Sequence, residues 1–481
     1  MKLYRIPPIL LIAALCGACS GETRHSERAA WLQTTLVEDN LLVIEREPEL
    51  SAGKFAKMAS LPYYYFRGTN AQFYRDLTDA DAPFSQTAFG SSAASGVLLM
   101  GDPHPENIGT YRSAKGEMNV EFNDFDGARF GPFHFDVRRL GVGFGVAAET
   151  MELDTTTRDA LIEAAARGYV DEIGRMSRGA EPYRVDPNFP GPILGDLIDG
   201  AIKDGDEKEA LFEYTRVRDG RRRLFFGAVE SPIVEGVIED ELVEVDARER
   251  RLVERLVAQY PQTLVEPQPA GAFELKGVGR RLGGGVASYA LLRFYALVEG
   301  PTDSRDDDWL LELKEIRDPT AIPRLAELPP RQFDTNAQRV VVAQRRMQID
   351  AKNDPLLGWA ASDTLSFRVR HRTKYQKGLD VADIEEGLAE ADWDIQHVLR
   401  FATIAGRLLA RSHAIAPRRD GGDALAAIAA TLDGREDAFV DETSTFARSY
   451  TDRVMSDYAL FVDLLDAEGP LLGARRMRAT P

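Results

Sequence analysis

Two short acidic loops, each at the end of an apolar strand and close together in the chain, constrain this protein more than any other feature. Val97-Leu98-Leu99-Met100 is an apolar run, preceded by the Gly-, Ser- and Ala-rich stretch 90–96 and stopped by Gly101, which predicts a buried strand. Asp102 follows at once and Asn107 lies in the same loop. A second strand, Met118 to Phe122, ends at Asn123-Asp124, and the turn residues from Ser113 to Gly116 predict that the two strands pair as a hairpin with their acids at one end. Two carboxylates and an amide oxygen brought to one point are hard oxygen donors suited to Mg²⁺ bridging phosphates. Asp102 would then orient or deprotonate an attacking hydroxyl. Asp and Asn also cap turns, so either loop alone reads as turn chemistry; their occurrence on consecutive strands points to a site.

The rest of the chain divides around these loops. Helical spacing runs through Val137, Leu140, Val142 and Val146, and again through Leu161, Ala165, Tyr169 and Ile173, so residues 34–265 read as a helical lobe that carries both acidic loops. Within it, 176–260 is mixed and charge-rich, with helical stretches around Glu207 to Tyr214 and Glu239 to Tyr260. After Glu266-Pro267-Gln268-Pro269 the pattern changes to strands: Phe273 to Val278, Tyr289 to Val298, and Trp309 to Ile316. These predict an antiparallel sheet lobe over 266–380, with Gly277, Gly279, Gly283 and Gly285 in and around its first turn and Lys314 on its third strand. Asn336 to Gln348 and Trp393 to Ala414 read as helices, and 381–481 as helices returning to the first lobe. The fold class expected is α+β.

At 481 residues, 44% of them hydrophobic, the chain is long enough for a substantial core. A net charge of -18 argues against nucleic acid as a partner. Lys2 and Arg5 precede a short apolar stretch, Ile9 to Ala14, far too short to cross about 30 Å of hydrocarbon but laid out as a signal peptide over 1–18. Leu15-Cys16-Gly17-Ala18-Cys19 resembles a bacterial lipobox, with Cys16 where Leu is usual. It implies lipidation at Cys19, a tether over 19–33, and a bilayer-anchored place in the cell envelope, with Ser20 fitting the outer membrane facing the periplasm. Both cysteines fall in this segment, so a mature domain starting at Cys19 keeps no other thiol for catalysis or metal binding. The six histidines show no zinc-ligand spacing.

Asp102 with Asn107, followed by Asp124, resembles the D-x-x-x-x-N catalytic loop and metal aspartate of protein-kinase-like enzymes, aminoglycoside phosphotransferases in particular. The resemblance implies Asp102 as catalytic base, Asn107 and Asp124 on Mg²⁺, and ATP or another nucleotide as donor. It also implies that the glycines at 277, 279, 283 and 285 cover the nucleotide phosphates and that Lys314 pairs with them. Met100 stands where those enzymes carry His, Asp126 where protein kinases carry Gly, and the helix Asn336 to Gln348 has no carboxylate for Lys314. Asp136 reads either as a structural aspartate of the phosphotransferases or as a helix cap. Because the glycines and Lys314 follow the catalytic loop, the implied fold is a two-lobe kinase-like one, circularly permuted. The same order, through Phe66-Arg67-Gly68, Gly101-Asp102-Pro103-His104, Arg138-Arg139-Leu140, Gly277-Val278-Gly279, Leu313-Lys314-Glu315 and Ala410-Arg411-Ser412-His413, is similar to a bacterial family known as domain of unknown function 2252. The expected activity is phosphotransfer to an unidentified small-molecule or atypical acceptor. The alternatives are an envelope-anchored ligand-binding pseudokinase and a metal-dependent phosphoesterase, the latter because Asp102-Pro103-His104 also resembles a D-x-H motif.

Overall fold

The computed structural model describes residues 9–79, 83–92, 94–113, 115–205, 207–226, 237–238, 241–269, 271–317, 332–349 and 354–474. Residues 1–8 of the expected leader lie outside the described residues, as does the side chain of Cys19. Four helices open the chain: α1 (Ile9–Arg46), α2 (Pro48–Ser60), α3 (Pro62–Gly68) and α4 (Asn70–Thr78). Pro48 and Pro62 start their helices, where a missing N–H leaves no hydrogen bond unmade. Four short strands follow, β1 (Val97–Leu99), β2 (Ile108–Arg112), β3 (Met118–Phe122) and β4 (Arg129–Gly131), and then α5 (His134–Thr150), α6 (Thr155–Ser177), α7 (Pro192–Lys203) and α8 (Glu207–Tyr214).

The hairpin β5 (Thr215–Arg218) and β6 (Arg221–Leu224) leads through β7 (Glu241–Glu244) and α9 (Ala247–Gln259) to β8 (Leu275–Leu282), β9 (Arg293–Val298) and β10 (Trp309–Glu315). Helix α10 (Asn336–Met347) precedes β11 (Gly358–Ser362) and β12 (Leu365–His371). The chain ends in α11 (Val381–Ala389), α12 (Ile395–Ile415), α13 (Ala424–Leu432) and α14 (Glu436–Glu468).

In the helical lobe, α12 lies along α6 so closely that a Cβ at Gly168 would come within 2.2 Å of the Thr403 carbonyl, and one at Gly406 within 2.0 Å of the Ala165 carbonyl. Glycine at both positions lets the backbones meet, and α5 and α14 complete the same core. The sheet lobe is a six-stranded antiparallel sheet in the order β11-β12-β10-β9-β8-β7. Period-two alternation turns Val278, Phe294, Leu311, Leu313, Phe367 and Val369 toward Val253, Leu256 and Val257 of α9. The alternate residues, including Tyr295, Glu312, Lys314 and Arg368, share the opposite face.

The structure differs from the sequence expectation in several places, among them the stretch read as helical from Glu239, where β7 precedes α9. The strand at 97–99 pairs with β4, not with 118–122, whose partner is β2. The sequence of β2 carries no apolar alternation to announce it. Strand β9 begins at Arg293, because Tyr289 and Ala290 pack against Val43 and Leu50 of the opening helices. The sheet lobe begins well before the Pro-rich link at 266, since β7 pairs with β8 and α9 covers the sheet. Finally, the expected tether, 19–33, lies within α1: Leu32 is fully buried, and Arg28 joins Asp76 at 2.7 Å and Asp457 at 2.6 Å.

Removing Arg28 would leave two buried carboxylates facing each other, with the Tyr450 hydroxyl donating to Asp76. Arg28→Ala is expected to lower unfolding stability in urea by about 3 kcal/mol. An unchanged midpoint would return this segment to the role of a loose tether.

Candidate functional site

Both acidic loops leave a two-stranded platform. Val97, Leu98 and Leu99 of β1 pair with Gly131, Phe130 and Arg129 of β4, so the residues after β1 and those before β4 emerge side by side. Gly101 takes φ +85, and a Cβ there would meet the Gly127 carbonyl at 2.0 Å. The two loops therefore cross at a point only glycine permits. The Gly101 carbonyl accepts from Asn70 Nδ2 at 2.9 Å and from the Tyr74 hydroxyl at 3.0 Å.

Asp136 fixes the entry to the first loop. It is fully buried on α5, and its carboxylate accepts the amides of Met100 at 2.6 Å and Gly101 at 3.1 Å. His413 of α12 braces it, with Nε2 3.1 Å from Asp136 and Nδ1 2.9 Å from the Tyr169 hydroxyl. Asp136 is thus a structural aspartate that serves another segment's amides, not a cap for its own helix.

Asp102 follows, with its carboxylate held by Arg139 Nε at 2.7 Å. Arg139 is buried, lies 3.6 Å from the Phe66 ring centroid, and donates a second bond to the Phe66 carbonyl at 2.8 Å. Burial raises the Asp102 carboxyl above the usual aspartate range; Arg139 opposes the rise and Asp124 adds to it. A raised carboxyl is a better proton acceptor at neutral pH. Asn107 is buried and gives its Nδ2 to the Asp102 carbonyl at 2.7 Å. His104, between them, touches the Tyr63 hydroxyl at 3.3 Å and is kept neutral by burial and by the charges of Arg67 and Arg139.

The second loop meets the sheet lobe. Lys314, next to the last residue of β10, places its Nζ 2.6 Å from Asp126 and 3.5 Å from Asp124. Burial works against an ionised Asp124, but Lys314, Arg368 and the Asp126 amide at 3.1 Å outweigh it and hold the carboxyl well below its ordinary value. Arg368 is the cross-strand neighbour of Lys314. Helix α10 approaches through Arg339, which donates to the carbonyls of Asp126 at 3.0 Å and of Ala128, and through Gln348, which donates to the Phe122 carbonyl. Gln344 bonds Gln348 at 3.1 Å.

The structure thus gathers Asp102, Asn107, Asp124 and Lys314 in one place. The donor set suits Mg²⁺: Asp124 and Asn107 offer hard oxygens, and Asp126 Oδ1 is buried with no hydrogen-bond partner among the described residues. The glycines are placed differently. Gly277 and Gly279 lie within β8, where a Cβ would stand 3.4 Å from Leu224 and 2.8 Å from Leu242, so close strand packing accounts for them. Gly283 and Gly285, both at φ +78, form the turn after β8, and Ala287 and Ser288 just beyond line a cavity of about 200 Å³ with Asp126 and Arg129.

Sequence reasoning gave no site role to Arg139, Asp126 or Arg368. An arginine inside an apolar helical stripe, and arginines alternating with Phe367 and Val369, were the available signals. Arg139→Met removes the charge that opposes protonation, so the Asp102 carboxyl should titrate at higher pH in the variant, as read by ¹³C NMR of labelled aspartates. A carboxyl that titrates at the same or lower pH would contradict this assignment.

No curated protein and no solved structure matches the chain. One family does match, over residues 46–464, a span that takes in the acidic loops, Arg139, Asp136, Lys314 and His413. On that match the chain belongs to the bacterial family described as uncharacterized protein conserved in bacteria (DUF2252).

Proposed function

We propose that this chain is a magnesium-dependent phosphotransferase of kinase-like type, with its two lobes in permuted order, acting on a small-molecule or atypical acceptor. One observation carries the reading: Lys314, 190 residues downstream of Asp124, reaches it across the lobes, beside Asp102 and Asn107. Beside that ion pair stand a buried carboxylate whose pKa is raised and an asparagine anchored to its backbone, groups placed to orient an acceptor hydroxyl and to hold a metal in phosphoryl transfer.

Asn107 and Asp124, with Asp126 beside them, would hold Mg²⁺, which when bound neutralises phosphate charge. Asp102 orients the acceptor hydroxyl and takes its proton, and Arg139 keeps the carboxylate aimed. Lys314 supplies positive charge at the donor phosphates, for which the kinase resemblance implies ATP or another nucleotide. The lipobox-like Cys19 supports attachment to a bilayer in the cell envelope.

A second reading, ligand binding without turnover, is favoured by α10: Arg339 reaches the acidic loop, Gln348 just after the helix reaches the end of β3, and α10 carries no carboxylate to pair with Lys314 as the helix of an active protein kinase does. Mn²⁺ binding followed by electron paramagnetic resonance separates these readings. Asp124→Ala should weaken Mn²⁺ at least tenfold, whereas Asp102→Asn should leave it intact and slow phosphate release to water or acceptor about 100-fold. Mn²⁺ affinity indifferent to Asp124→Ala would overturn the proposal, and intact binding with no release from the unsubstituted chain would select the second reading.

A further inference from the structure

We infer that the cavity of about 200 Å³ beside Asp126 is the acceptor pocket and that it takes a small hydroxylated anion. Its role as acceptor pocket rests on the phosphotransfer reading above; its affinity for an anion does not.

The cavity lies where the opening helices meet the crossing of the two loops. Lys54 of α2, Asn70 and Tyr74 of α4, Asp126, Arg129 at the start of β4 and Arg317 after β10 all line it. Cations are in excess there. Of the two carboxylates in the wall, Asp39 is taken by Arg75 at 2.7 Å and Asp126 by Lys314 at 2.6 Å. Arg67, also in the wall, is paired with Glu106. Lys54, Arg129 and Arg317 make no ion pair among the described residues, although Lys54 is only 6% exposed and Arg129 only 7%. Lys54 gives its Nζ to a neutral acceptor, Asn40 Oδ1, at 2.7 Å. Arg129 rests 4.0 Å from the Tyr74 ring centroid and gives Nε to the Gly127 carbonyl at 3.3 Å. Burial, helped by Arg317, pushes the Lys54 ammonium down to about 8 against the pull of Asp39. Buried cations without a counter-charge are unfavourable, and an anion seated among these three would offset them.

Three buried polar atoms of the same wall have no hydrogen-bond partner among the described residues: Arg129 Nη1, Asn70 Oδ1 and Asp126 Oδ1. They ask for different groups. Arg129 Nη1 is a donor and suits an anionic oxygen, whereas Asn70 Oδ1 is an acceptor and suits a hydroxyl. Asp126 Oδ1 stands on the metal side. The volume is below the roughly 300–1,000 Å³ of pockets for drug-sized ligands, so the occupant has few carbons. A larger cavity, about 540 Å³, lies at Asn123, at the other end of the same loop, so the smaller one need not hold the donor.

The wall also borders the base. Asn70 and Tyr74 hold the carbonyl of Gly101, the residue before Asp102, and the charge of Arg67 bears on Asp102 itself. In the transfer step, a hydroxyl oxygen of the acceptor bonds to the terminal phosphorus of the donor as that phosphorus parts from its bridging oxygen. The bridging oxygen leaves with the shortened donor, and the hydroxyl proton passes to Asp102.

The test is calorimetric titration of the full chain, in Mg²⁺, with D-glycerate, with glycerol 3-phosphate, and with glycerol as the uncharged control. At least one of the two anions should bind at least tenfold more tightly than glycerol, and the tighter of them names the anionic group as carboxylate or phosphate. Arg129→Gln should weaken that anion at least tenfold. Arg317→Gln, at a half-buried position, serves as the second variant should Arg129→Gln fail to fold. Glycerol binding as tightly as both anions, no binding by any of the three, or an anion affinity untouched by the variants overturns the inference. Mn²⁺ resonance on the same samples separates the two failures. If Asp124 governs Mn²⁺ and neither anion binds, only the pocket assignment falls; if an anion binds through Arg129 while Mn²⁺ is indifferent to Asp124→Ala, the acceptor role falls with the phosphotransfer reading.

Discussion

The ammonium group of Lys314 joins the two lobes at the acidic loops. It sits on the central strand of the sheet, nearly buried, and binds Asp126 while standing near Asp124. Burying the Lys314 ammonium is unfavourable unless it finds a counter-charge at good distance, so the arrangement holds only if both lobes present their groups accurately. Much of the surrounding structure serves that accuracy. The crossing of Gly101 and Gly127 fixes the two loops against each other, Asp136 and His413 fix the first loop to α5 and α12, and Arg339 ties the second loop to α10. Each brace comes from a different part of the chain. The site is therefore a product of the whole fold and not of a local motif.

The parts most legible in the sequence were those governed by local rules. The apolar run before Gly101, the helices at 336–347 and 395–415 and the acids at 102, 107 and 124 follow from periodicity and from turn chemistry. Pairing was less legible. Strand β2 gives no alternation, so its place opposite β3 is set by the β1–β4 platform, a contact the sequence does not announce. The last two strands were missed although Phe367 and Val369 alternate with arginines, because a strand with charged residues on one face reads as a surface segment until something is known to cover it. Arg28 was hidden for the opposite reason: a polar stretch looks like a tether unless its charges meet buried acids far along the chain.

Charge is distributed unevenly over this protein. In a chain of net charge -18, Arg281, Arg368 and Arg370 share the buried Glu312 on the sheet face that carries Lys314, and Leu211, Tyr214, Leu224 and Phe226 cover the apolar residues Tyr295, Leu297 and Leu310 of that face. Among the described residues, the acids of the second loop are the nearest counter-charges of Lys314, Asp126 at 2.6 Å and Asp124 at 3.5 Å.

The central claim is that Lys314 and Asp126 act as a coupled pair between the lobes. A double-mutant cycle of Lys314→Met and Asp126→Asn, read by urea unfolding of the full chain, measures that coupling directly. The account predicts an interaction of about 1–3 kcal/mol, with the double variant more stable than the sum of the single losses implies. Strictly additive effects would show that the two lobes fold without this contact and would contradict the site described.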